Sequence, residues 1–355
     1  MTTRILVTGG AGFVGSSLAL ATKRDHPEAA VIALDNLRRR GSELALPRLR
    51  EGGVEFLHGD IRNAEDLEAA GSVELVLECS AEPSVQAGYA DDARYLVHTN
   101  LMGTVNCLEL ARRHGAGVIF LSTSRVYPIA PLRDLPLQPQ GDRLVIPDGK
   151  SGTGWSAVGI ARDFPLAGGR SLYGATKLCS ELLIEEYASI YGFPALINRC
   201  GVIAGPGQMA RVDQGFVTLW AARHCYGGSL EYRGFGGEGR QVRDVLHVDD
   251  LHALVSRQMQ ELSGHVGDVF NVGGGLERSV SLRELTRICA RLTGSAVDPT
   301  PHPETHPSDI PYYVTDNREV CARWDWKPQR SLEETVDEIL GWLAAHRDQL
   351  EPILG

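Results

Sequence analysis

A glycine-rich segment near the start of the chain constrains the possible fold more than any other feature. It runs from Val7 to Gly15 with the sequence VTGGAGFVG, after an apolar run and before an apolar-periodic stretch, Phe13 to Leu20. Apolar residues followed by clustered glycines and then by a helical period are typical of a strand, a tight turn and a helix. The segment therefore predicts the opening unit of an α/β fold.

The spacing of these glycines also suits a dinucleotide. Gly9 allows the tight turn, Gly12 lets the backbone approach a pyrophosphate, and Gly15 permits close packing of helix on strand. Phosphate charge is favoured at a helix N-terminus, where backbone N–H groups are free. Asp35 ends the next apolar run, where an acid suits a ribose 2′-hydroxyl and repels a 2′-phosphate, so NAD is favoured over NADP. Arg38 to Arg40 act against that preference, and a glycine turn also occurs without any ligand.

Composition argues against several classes of partner. The 355 residues carry a net charge of -10, which argues against polyanionic nucleic acid. Seven cysteines without a CxxC pair predict reduced thiols and a cytoplasmic protein. No apolar run reaches the ~20 residues that a membrane span needs, so we expect no membrane partner. His302 and His306 have a ligand-like spacing, but Pro303 interrupts the helix that would present them, so no metal site is predicted.

The first half of the chain alternates between strand and helix patterns. Such alternation is typical of a parallel sheet with helices on both faces, a Rossmann-type doubly wound fold. A helix at 172–191 and a strand at 195–199 complete a first domain, which we place at 1–200. The earlier predicted strands are 4–8, 31–35, 54–58, 74–79 and 117–122, and the earlier predicted helices are 13–25, 64–70 and 94–114.

Residues 127–170 interrupt this alternation with six prolines and several glycines. Long irregular segments of this kind are usually functional loops or disordered. Leu144, Val145, Ile146 and Trp155 offer apolar anchors, so the segment is predicted to be a partly ordered lid.

Beyond Gly201 the elements become shorter and glycine and polar residues increase, which predicts a smaller mixed α/β C-terminal lobe at 201–355, with some chain crossing between lobes. Ser331 and Glu334 have the spacing of a capping box that begins the last helix. Trp324 and Trp326 are expected in the core. The predicted helices are 213–226, 249–262, 281–293 and 331–347, and the predicted strands are near 230–232, 243–246 and 269–272.

Two residues four apart carry the strongest chemical signal. Tyr173 and Lys177, in the sequence YGATK, begin a predicted helix and share one of its faces. An ammonium near a phenol, together with a cationic nicotinamide, lowers the phenol pKa and makes Tyr173 usable as an acid/base near neutral pH. Thr123 ends the fifth strand at the carboxyl edge of the sheet, where ligands bind. Its hydroxyl is predicted to bridge Tyr173 and a substrate hydroxyl.

Together these motifs resemble one protein family. The glycine turn, the strand-end Thr123 and the YxxxK pair are similar to the extended short-chain dehydrogenase/reductase family, in its nucleotide-sugar epimerase/dehydratase branch. The resemblance covers nearly the whole chain and implies that residues 201–355 form the substrate lobe, which binds a nucleotide-diphosphate sugar. The segment from Gly239 to Asp250 resembles the branch's nucleotide-sugar signature, which implies that Arg243 binds the diphosphate.

The resemblance also implies the reaction. Tyr173 takes a proton from a sugar hydroxyl while hydride passes to bound NAD, and the keto-sugar is then reduced on its other face. Lys177 binds the nicotinamide ribose and tunes Tyr173, Thr123 orients the hydroxyl, and no metal is needed. The implied cofactor contacts are Gly9, Gly12, Phe13, Val14, Gly15, Asp35, Asn36, Asp60, Ile61, Ser80, Ala81, Glu82, Asn100, Tyr173 and Lys177. The implied substrate contacts are Thr123, Ser124, Gln214, Arg243 and His306.

Within the branch, three stretches look most like the CDP-paratose 2-epimerases: Asp35 to Ser42, Val212 to Val217 and Gly239 to His247. The long insertion before Tyr173 fits the same subgroup. A 2-epimerase is therefore the favoured activity. The resemblance further implies a homodimer formed by the helices at 94–114 and 172–191.

Two places depart from the pattern of the branch. The branch usually has His-x-Ala-Ala where this chain has ECSAEPSV, Glu78 to Val85. Glu82 then lies near the nicotinamide, where a carboxylate can stabilise the oxidised ring or act as a second acid/base. Family members often carry Arg three residues before Asp309, and this chain has His306 there.

Other activities stay open as alternatives. A 4-epimerase uses the same Thr, Tyr and Lys, and only the placement of the sugar separates it from a 2-epimerase. A 4,6-dehydratase is expected to carry Asp-Glu directly after the strand-end Thr, where this chain has Ser124 and Arg125. A reductase would release its cofactor at each turnover, and a non-catalytic NAD-binding sensor would not need the intact Thr, Tyr and Lys.

Overall fold

Strands and helices alternate along the first part of the chain. The structure is a computed structural model that describes residues 3–89, 92–211 and 214–355, so Val212 and Asp213 of the subgroup stretch lie outside the described residues. The strands are β1 (Arg4–Thr8), β2 (Ala30–Asp35), β3 (Glu55–His58), β4 (Leu75–Glu78), β5 (Gly117–Thr123), β6 (Gln138–Gln140), β7 (Arg143–Val145), β8 (Ser151–Gly152), β9 (Trp155–Ser156), β10 (Gly159–Ile160), β11 (Ala195–Cys200), β12 (Val202–Ala204), β13 (Glu231–Arg233), β14 (Val242–His247), β15 (Val266–Val272), β16 (Ser279–Ser281), β17 (Thr300–His302) and β18 (Tyr312–Tyr313). The helices are α1 (Phe13–Asp25), α2 (Leu46–Glu51), α3 (Ala64–Glu68), α4 (Arg94–Val97), α5 (Gly103–His114), α6 (Ile129–Arg133), α7 (Leu172–Tyr191), α8 (Phe216–Tyr226), α9 (Val248–Glu261), α10 (Leu282–Thr293), α11 (Arg318–Trp324), α12 (Leu332–Ala345) and α13 (Arg347–Leu354), and a π-helical turn, His98–Met102, joins α4 to α5.

A seven-stranded sheet in the order β15-β11-β5-β4-β1-β2-β3 forms the centre, and all its strands are parallel. This confirms the predicted doubly wound α/β fold, and the five strands predicted in the first half begin and end within one residue of the observed bounds. The strand order reverses between β1 and β4. In open α/β sheets ligands bind outside the carboxyl ends of the strands at such a switch point.

Alternating apolar residues cover both faces of this sheet. In β1, Ile5 and Val7 pack in a cluster with residues of α1 and α9, whereas Leu6 packs on the other face with residues of α5 and α7. The two-residue period of a strand sends successive side chains to opposite faces, so a strand buried on both faces is apolar throughout. This explains why the strands of the first half were predicted so closely from the sequence.

The C-terminal half contributes to the central sheet as well as to its own lobe. Strand β15 pairs with β11 from Leu196 opposite Asp268 to Cys200 opposite Val272. Helix α9 packs on α1. The chain therefore crosses from the smaller lobe back to the sheet, and residue 200 is not a boundary of the sheet.

The insertion at 127–170 is ordered and packs on the C-terminal lobe. It contains α6 and five short strands, and Ile160 in β10 donates its backbone N–H to Val314 (2.7 Å). Its buried Tyr127, Ile146 and Phe164 form a cluster with residues of β14 and β18, and none of residues 127–170 lines the cavity described below. The apolar anchors thus pack against the C-terminal lobe, and the predicted lid stays a prediction.

The smaller lobe packs α8, α10 and α12 around a separate apolar cluster. The predicted capping box is confirmed, since Ser331 accepts from the Glu334 N–H and Glu334 accepts from the Ser331 N–H. Trp324 and Trp326 are buried, as expected. The last predicted helix is divided, because α12 ends at Ala345 and α13 begins at Arg347. Strands of two or three residues, such as β12 and β18, were missed because so short a run carries no detectable period.

Candidate active site

The glycine turn has the geometry that its spacing predicts. Gly9 adopts a φ of +63°, which favours glycine, and Gly12 donates its N–H to the Gly9 carbonyl (2.9 Å). A Cβ on Gly15 would lie 2.1 Å from the same carbonyl oxygen. Gly12 is the N-cap of α1, and no side chain accepts from the first N–H groups of this helix. Those N–H groups are therefore free at the end of the turn that faces the cavity.

Asp35 accepts from one backbone N–H of this turn and from one N–H just after its own strand. Its Oδ2 accepts from Ala11 (3.1 Å) and its Oδ1 from Leu37 (2.8 Å), while burial raises its pKa. Next to it, Asn36 donates to Asp60 (2.9 Å). Burial raises the pKa of Asp60, but the hydrogen bonds from Arg62 and Asn36 outweigh it and hold that pKa at about 2. Asp60 is therefore an ionised acid at neutral pH, close to Asp35.

One large cavity, of about 1290 Å³, extends from this turn to the smaller lobe. Of the residues predicted for the site, Asp60, Asn100, Lys177 and His306 do not line it. The others line it: Gly9, Gly12, Phe13, Val14, Gly15, Asp35, Asn36, Ile61, Ser80, Ala81, Glu82, Thr123, Ser124, Tyr173, Gln214 and Arg243. The cavity therefore joins the glycine turn and the Tyr173 end in a single space.

Tyr173 and Thr123 both line this cavity, and their side chains lie close enough for the Thr123 hydroxyl to lower the pKa of the phenol. Thr123 is the last residue of β5, and Tyr173 stands in the first turn of α7, whose N-cap Ser171 accepts from the Gly174 N–H (3.2 Å). This confirms that the strand end and the YxxxK helix converge. A phenol and an alcohol in contact at a cavity wall can together bind and deprotonate a substrate hydroxyl.

The charges around Tyr173 differ from those predicted. Burial raises the pKa of Tyr173 to about 12, while the hydrogen bond from Thr123 and the Arg125 guanidinium lower it and Glu82 raises it. The nearby protein cation that acts most on the phenol is thus Arg125, not Lys177. Lys177 is not among the groups that shift this pKa most, since four-residue spacing gives a shared helix face but does not by itself bring the charged ends together.

Lys177 instead lies behind the cavity wall. It is 2 % exposed, and its Nζ is 3.7 Å from the centre of the Phe120 ring. Burial lowers the pKa of Lys177 to about 8, and Glu78 and Glu181 raise it. Glu78 pairs with Phe120 in the sheet register, so its side chain lies on the same face.

Glu78 is a functional candidate that sequence reasoning did not single out. It is 1 % exposed, its Oε1 accepts from Thr104 (2.6 Å), and its Oε2 has no hydrogen-bond partner. Burial raises its pKa to about 7, against the lowering effect of Lys177. The signal that could have found it is the acid at the end of an otherwise apolar strand, at the position where the family pattern has histidine.

Asn100 positions the loop that follows β4. Its side chain accepts from the Glu82 N–H (2.7 Å) and donates to the Glu82 carbonyl (3.1 Å). Its own carbonyl accepts from Thr104 and Ser180, both at 2.9 Å, within the π-helical turn. Asn100 therefore acts on the cavity through Glu82, and its predicted direct contact with cofactor is not supported by its position.

A buried ion pair supports α7 from behind. Glu181 and Arg199 are joined at 2.8 Å (Oε2 to Nη2), and Ser122 also donates to Glu181. Arg199 reaches the hydroxyl of Tyr127 (3.3 Å). Glu181 lies eight residues after Tyr173, on the same face of α7. The Glu181–Arg199 ion pair therefore holds the face that carries the phenol against the sheet.

The two residues predicted to bind the diphosphate have different positions. Arg243 lines the cavity, whereas the His306 ring accepts from the Ser308 N–H (3.2 Å) and packs edge-on against Tyr89 (5.0 Å between ring centres). The structure thus directs His306 away from the cavity because its turn-forming hydrogen bonds are local. Arg125, which sequence reasoning used only to argue against a dehydratase, lines the cavity in its place.

Within the described ranges, we find no helix long and apolar enough to cross a membrane.

Comparison with known proteins agrees with this geometry. Residues 5–273 match the model of the NAD dependent epimerase/dehydratase family. The CDP-paratose 2-epimerase of Salmonella typhi is 29% identical over 349 residues, covering 96% of this chain and 99% of that protein.

Solved structures give the same result at lower sequence similarity. A double mutant of the dTDP-glucose 4,6-dehydratase of Streptomyces venezuelae, crystallised with NAD, is 28% identical with a TM-score of 0.78 and covers 99% of this chain and 100% of that one. The UDP-glucose 4-epimerase of Thermus thermophilus, in complex with NAD, is 26% identical with a TM-score of 0.76 and covers 96% and 99%. Relatives of similar identity thus perform different reactions. What they share is the family, and this chain belongs to the NAD-dependent epimerase/dehydratase family.

Proposed function

We propose that the protein is an NAD-dependent nucleotide-sugar epimerase that acts by transient oxidation to a keto-sugar, with a CDP-paratose 2-epimerase-like activity. The observation that carries this proposal is the hydrogen-bonded pair of Tyr173 and Thr123, which opens into the same cavity as the glycine turn and Arg243. Residues 1–200 then serve mainly the cofactor, and residues 201–355 mainly the nucleotide sugar.

The residues at the glycine turn fit NAD. A Cβ on Gly15 would overlap the Gly9 carbonyl, and the uncapped start of α1 offers N–H groups to a pyrophosphate. The carboxylate of Asp35 at the end of β2 suits a ribose hydroxyl, and its charge disfavours a 2′-phosphate. We therefore assign the pyrophosphate to Gly12 and its neighbours, the adenosine ribose to Asp35, and the nicotinamide end to the wall formed by Ser80, Ala81 and Glu82.

The mechanism follows from the position of the phenol. Held by the glycine turn, Asp35 and the wall of Ser80, Ala81 and Glu82, NAD would supply the hydride acceptor for one sugar carbon and the hydride donor to the opposite face of that carbon. The Tyr173 oxygen accepts the proton of the sugar hydroxyl during oxidation and gives it back during reduction, so atoms and electrons balance over a turnover. Thr123 donates to Tyr173 and accepts from the sugar hydroxyl. The Arg125 guanidinium stabilises the phenolate through space, and Lys177 is proposed to reach the nicotinamide ribose from behind the cavity wall.

Specific positions favour epimerisation over its alternatives. A dehydratase needs an acid and a base next to the Thr123–Tyr173 pair, and this chain has Ser124 and Arg125 lining the cavity there. A 4-epimerase is the second candidate, because the same pair oxidises whichever carbon the sugar presents. A sensor that only binds NAD is disfavoured by the intact contact between Thr123 and Tyr173.

The decisive experiment supplies purified protein with CDP-, UDP- and dTDP-sugars in ordinary and deuterated water, followed by NMR. We expect inversion at C2 without solvent deuterium at the inverted carbon, since oxidation and reduction return the same hydride. Inversion at C4 would instead select the second candidate. Deuterium at the inverted carbon, or loss of the C6 oxygen, would rule out the proposed reaction.

A pH prediction follows from the titratable groups around Lys177. These groups are the carboxyls of Glu78 and Glu181 and the thiols of Cys79 and Cys200. Glu78 raises the pKa of Lys177, so the substitution Glu78→Gln lowers it and the ammonium is lost at a lower pH. We expect the alkaline limb of the kcat/KM profile to move down by about one pH unit. The profile is measured with the substrate identified above.

Glu186→Gln is the matched control, because Glu186 is exposed on the helix that carries Lys177, and the substitution should leave the alkaline limb in place. An unchanged limb in Glu78→Gln, with NAD still bound, would mean that Glu78 does not act on the lysine. A uniform fall of kcat/KM at all pH values would indicate a packing role.

We propose that the protein forms a homodimer through α5 and α7. Met102 (46 %), Leu182 (55 %), Ile190 (67 %) and Tyr191 (51 %) are exposed on α7 and on the turn that leads into α5, which is a large apolar surface for a free chain. Light scattering at micromolar concentration should give twice the chain mass, and Leu182→Asp should give the chain mass. A wild-type monomer would end the proposal.

We also propose that the protein acts in the reducing cytoplasm. All seven cysteines are free, and three of them are buried, where thiols tolerate no oxidation without repacking. Titration of denatured protein taken directly from cells should find seven thiols. A lower count, restored by a reductant, would contradict this location.

A further inference from the structure

Two partly buried guanidiniums lie on one wall of the cavity. Nη1 of Arg125 donates to the carbonyl of Ser308 (3.2 Å), and Nη2 of Arg243 donates to the carbonyl of Ile310 (2.7 Å). The two side chains thus bond on either side of Asp309. In the described part of the chain, no carboxylate oxygen lies within 4.0 Å of either guanidinium.

The short turn after β5 determines where Arg125 points. The Thr123 Oγ1 accepts from the Arg125 N–H (3.2 Å), which begins a single 3₁₀ turn, Ser124–Val126. The chain reverses there, and Arg125 lines the cavity between Tyr173 and the strand that carries Arg243. Arg125 is therefore placed by the same threonine that contacts the phenol.

These two charges are costly without an anion. Burial lowers the pKa of both guanidiniums, and burial together with repulsion from Arg125 lowers that of Arg243 to about 9. Asp309 attracts both, but one carboxylate beyond ion-pair distance cannot neutralise two guanidiniums. Charged groups removed from water are usually paired or bind an ion. The arrangement is therefore expected to receive an anion with more than one charge.

We propose that Arg125 and Arg243 together bind the diphosphate of the substrate, with Arg125 as its second ligand. This inference rests on the proposed function, because the diphosphate belongs to the nucleotide sugar. Arg125 uses one of its five N–H donors on Ser308, which leaves a planar edge that fits phosphate oxygens in a bidentate way. A diphosphate offers separate oxygens to each guanidinium and two charges in total.

A carboxylate on the sugar itself is the other anion that this wall can receive. It brings one charge and would satisfy Arg125 alone, so the repulsion between the two guanidiniums would persist. The shared diphosphate removes that repulsion, and for this reason we favour it. The two ligands can be distinguished, because a nucleoside diphosphate without sugar carries the diphosphate but no sugar carboxylate.

Calorimetry of the NAD-loaded protein with CDP, UDP and dTDP tests the inference. Arg125→Gln is expected to raise the Kd of the best-bound diphosphate by about 10-fold or more, and Arg125→Lys by less, since the charge stays and the fork is lost. Arg133→Gln is the matched control. Arg133 donates to the carbonyls of His306, Pro307 and Asp309 from the exposed side, so it anchors the same segment outside the cavity. The Kd of the diphosphate for Arg133→Gln should therefore change less than about threefold.

Each outcome decides between the ligands. An unchanged Kd for nucleoside diphosphate in Arg125→Gln, with NAD still bound, overturns the inference. If only sugars with a carboxylate then bind more weakly to the variant, Arg125 recognises the sugar. Equal losses in Arg125→Gln and Arg133→Gln would show that the 306–309 segment, not the guanidinium, matters. Wild-type protein that binds diphosphate but inverts no sugar carbon keeps the inference and ends the proposed function, whereas wild-type protein that binds no diphosphate ends both.

Discussion

Replacement of Tyr173 by Phe is expected to lower kcat by about 10²–10⁴-fold while NAD stays bound. The substitution removes one oxygen and leaves the ring, so the packing of α7 and the cavity wall are preserved. The lost oxygen is the one that Thr123 contacts and on which the guanidinium of Arg125 acts.

The pH dependence adds a second readout for this residue. Burial holds the pKa of Tyr173 at about 12 in the protein alone, so the phenolate must be stabilised when the site is loaded. Arg125 lowers that pKa and Glu82 raises it. The wild-type kcat profile should therefore have an acid limb that reports phenol ionisation, and the residual activity of Tyr173→Phe should lack it. Detection of product by NMR over several hours makes the low residual activity of the variant measurable.

Tyr191→Phe is the matched control, because Tyr191 is the last residue of α7 and is exposed. Its kcat should equal that of the wild type. A Tyr173→Phe protein with full activity would overturn the enzyme assignment and leave the sensor as the better interpretation. A Tyr173→Phe protein that loses its NAD would show a packing role, which thermal denaturation can measure separately.

Replacement of Gly15 by Ala is expected to abolish retention of NAD. The new Cβ would lie 2.1 Å from the Gly9 carbonyl oxygen and 2.7 Å from its carbonyl carbon, so the turn or the start of α1 must move. Both are backbone, which cannot rotate away as a flexible side chain can. The N–H groups that face the pyrophosphate move with them. We expect less than about a tenth of the wild-type NAD content, since loss of a few kcal/mol of binding lowers affinity more than tenfold.

Gly341→Ala provides the contrasting control. Gly341 stands inside α12, and a Cβ added there would meet nothing within 4 Å, so alanine only improves helix propensity. It should raise the free energy of unfolding by about 0.5–1 kcal/mol and leave NAD content unchanged. NAD released by denaturation and thermal unfolding of both variants supply the measurements. A Gly15→Ala protein with full NAD content would mean that the turn tolerates expansion and is not a tight cradle.

The site was predictable from sequence wherever its chemistry depends on neighbours along the chain. Gly9, Gly12 and Gly15 act through one turn, and Tyr173 follows directly from a helix start marked by Ser171. Thr123 was placed correctly because parallel strands bring their carboxyl ends to one edge. Each of these inferences needs only the period of a strand or helix and the conformational freedom of glycine.

Sequence reasoning was insufficient where the answer depends on where side-chain ends meet. Lys177 shares a helix face with Tyr173, but its ammonium lies over Phe120, because the helix packs down on the sheet and buries that stem. His306 turns into local hydrogen bonds. The 127–170 insertion carries apolar anchors, yet their partners lie in β14 and β18, which come much later in the chain.

The sequence by itself thus determined the doubly wound sheet, the nucleotide turn and the Thr–Tyr–Lys set, since these are written in local periods and spacings. Only the tertiary structure decided which charges act on the phenol, that Glu78 lies buried beside Lys177, and that Arg125 and Arg243 share one wall. The physical reason is that burial and electrostatics depend on distances between segments remote in sequence. A desolvated charge is therefore visible only once those segments are packed together.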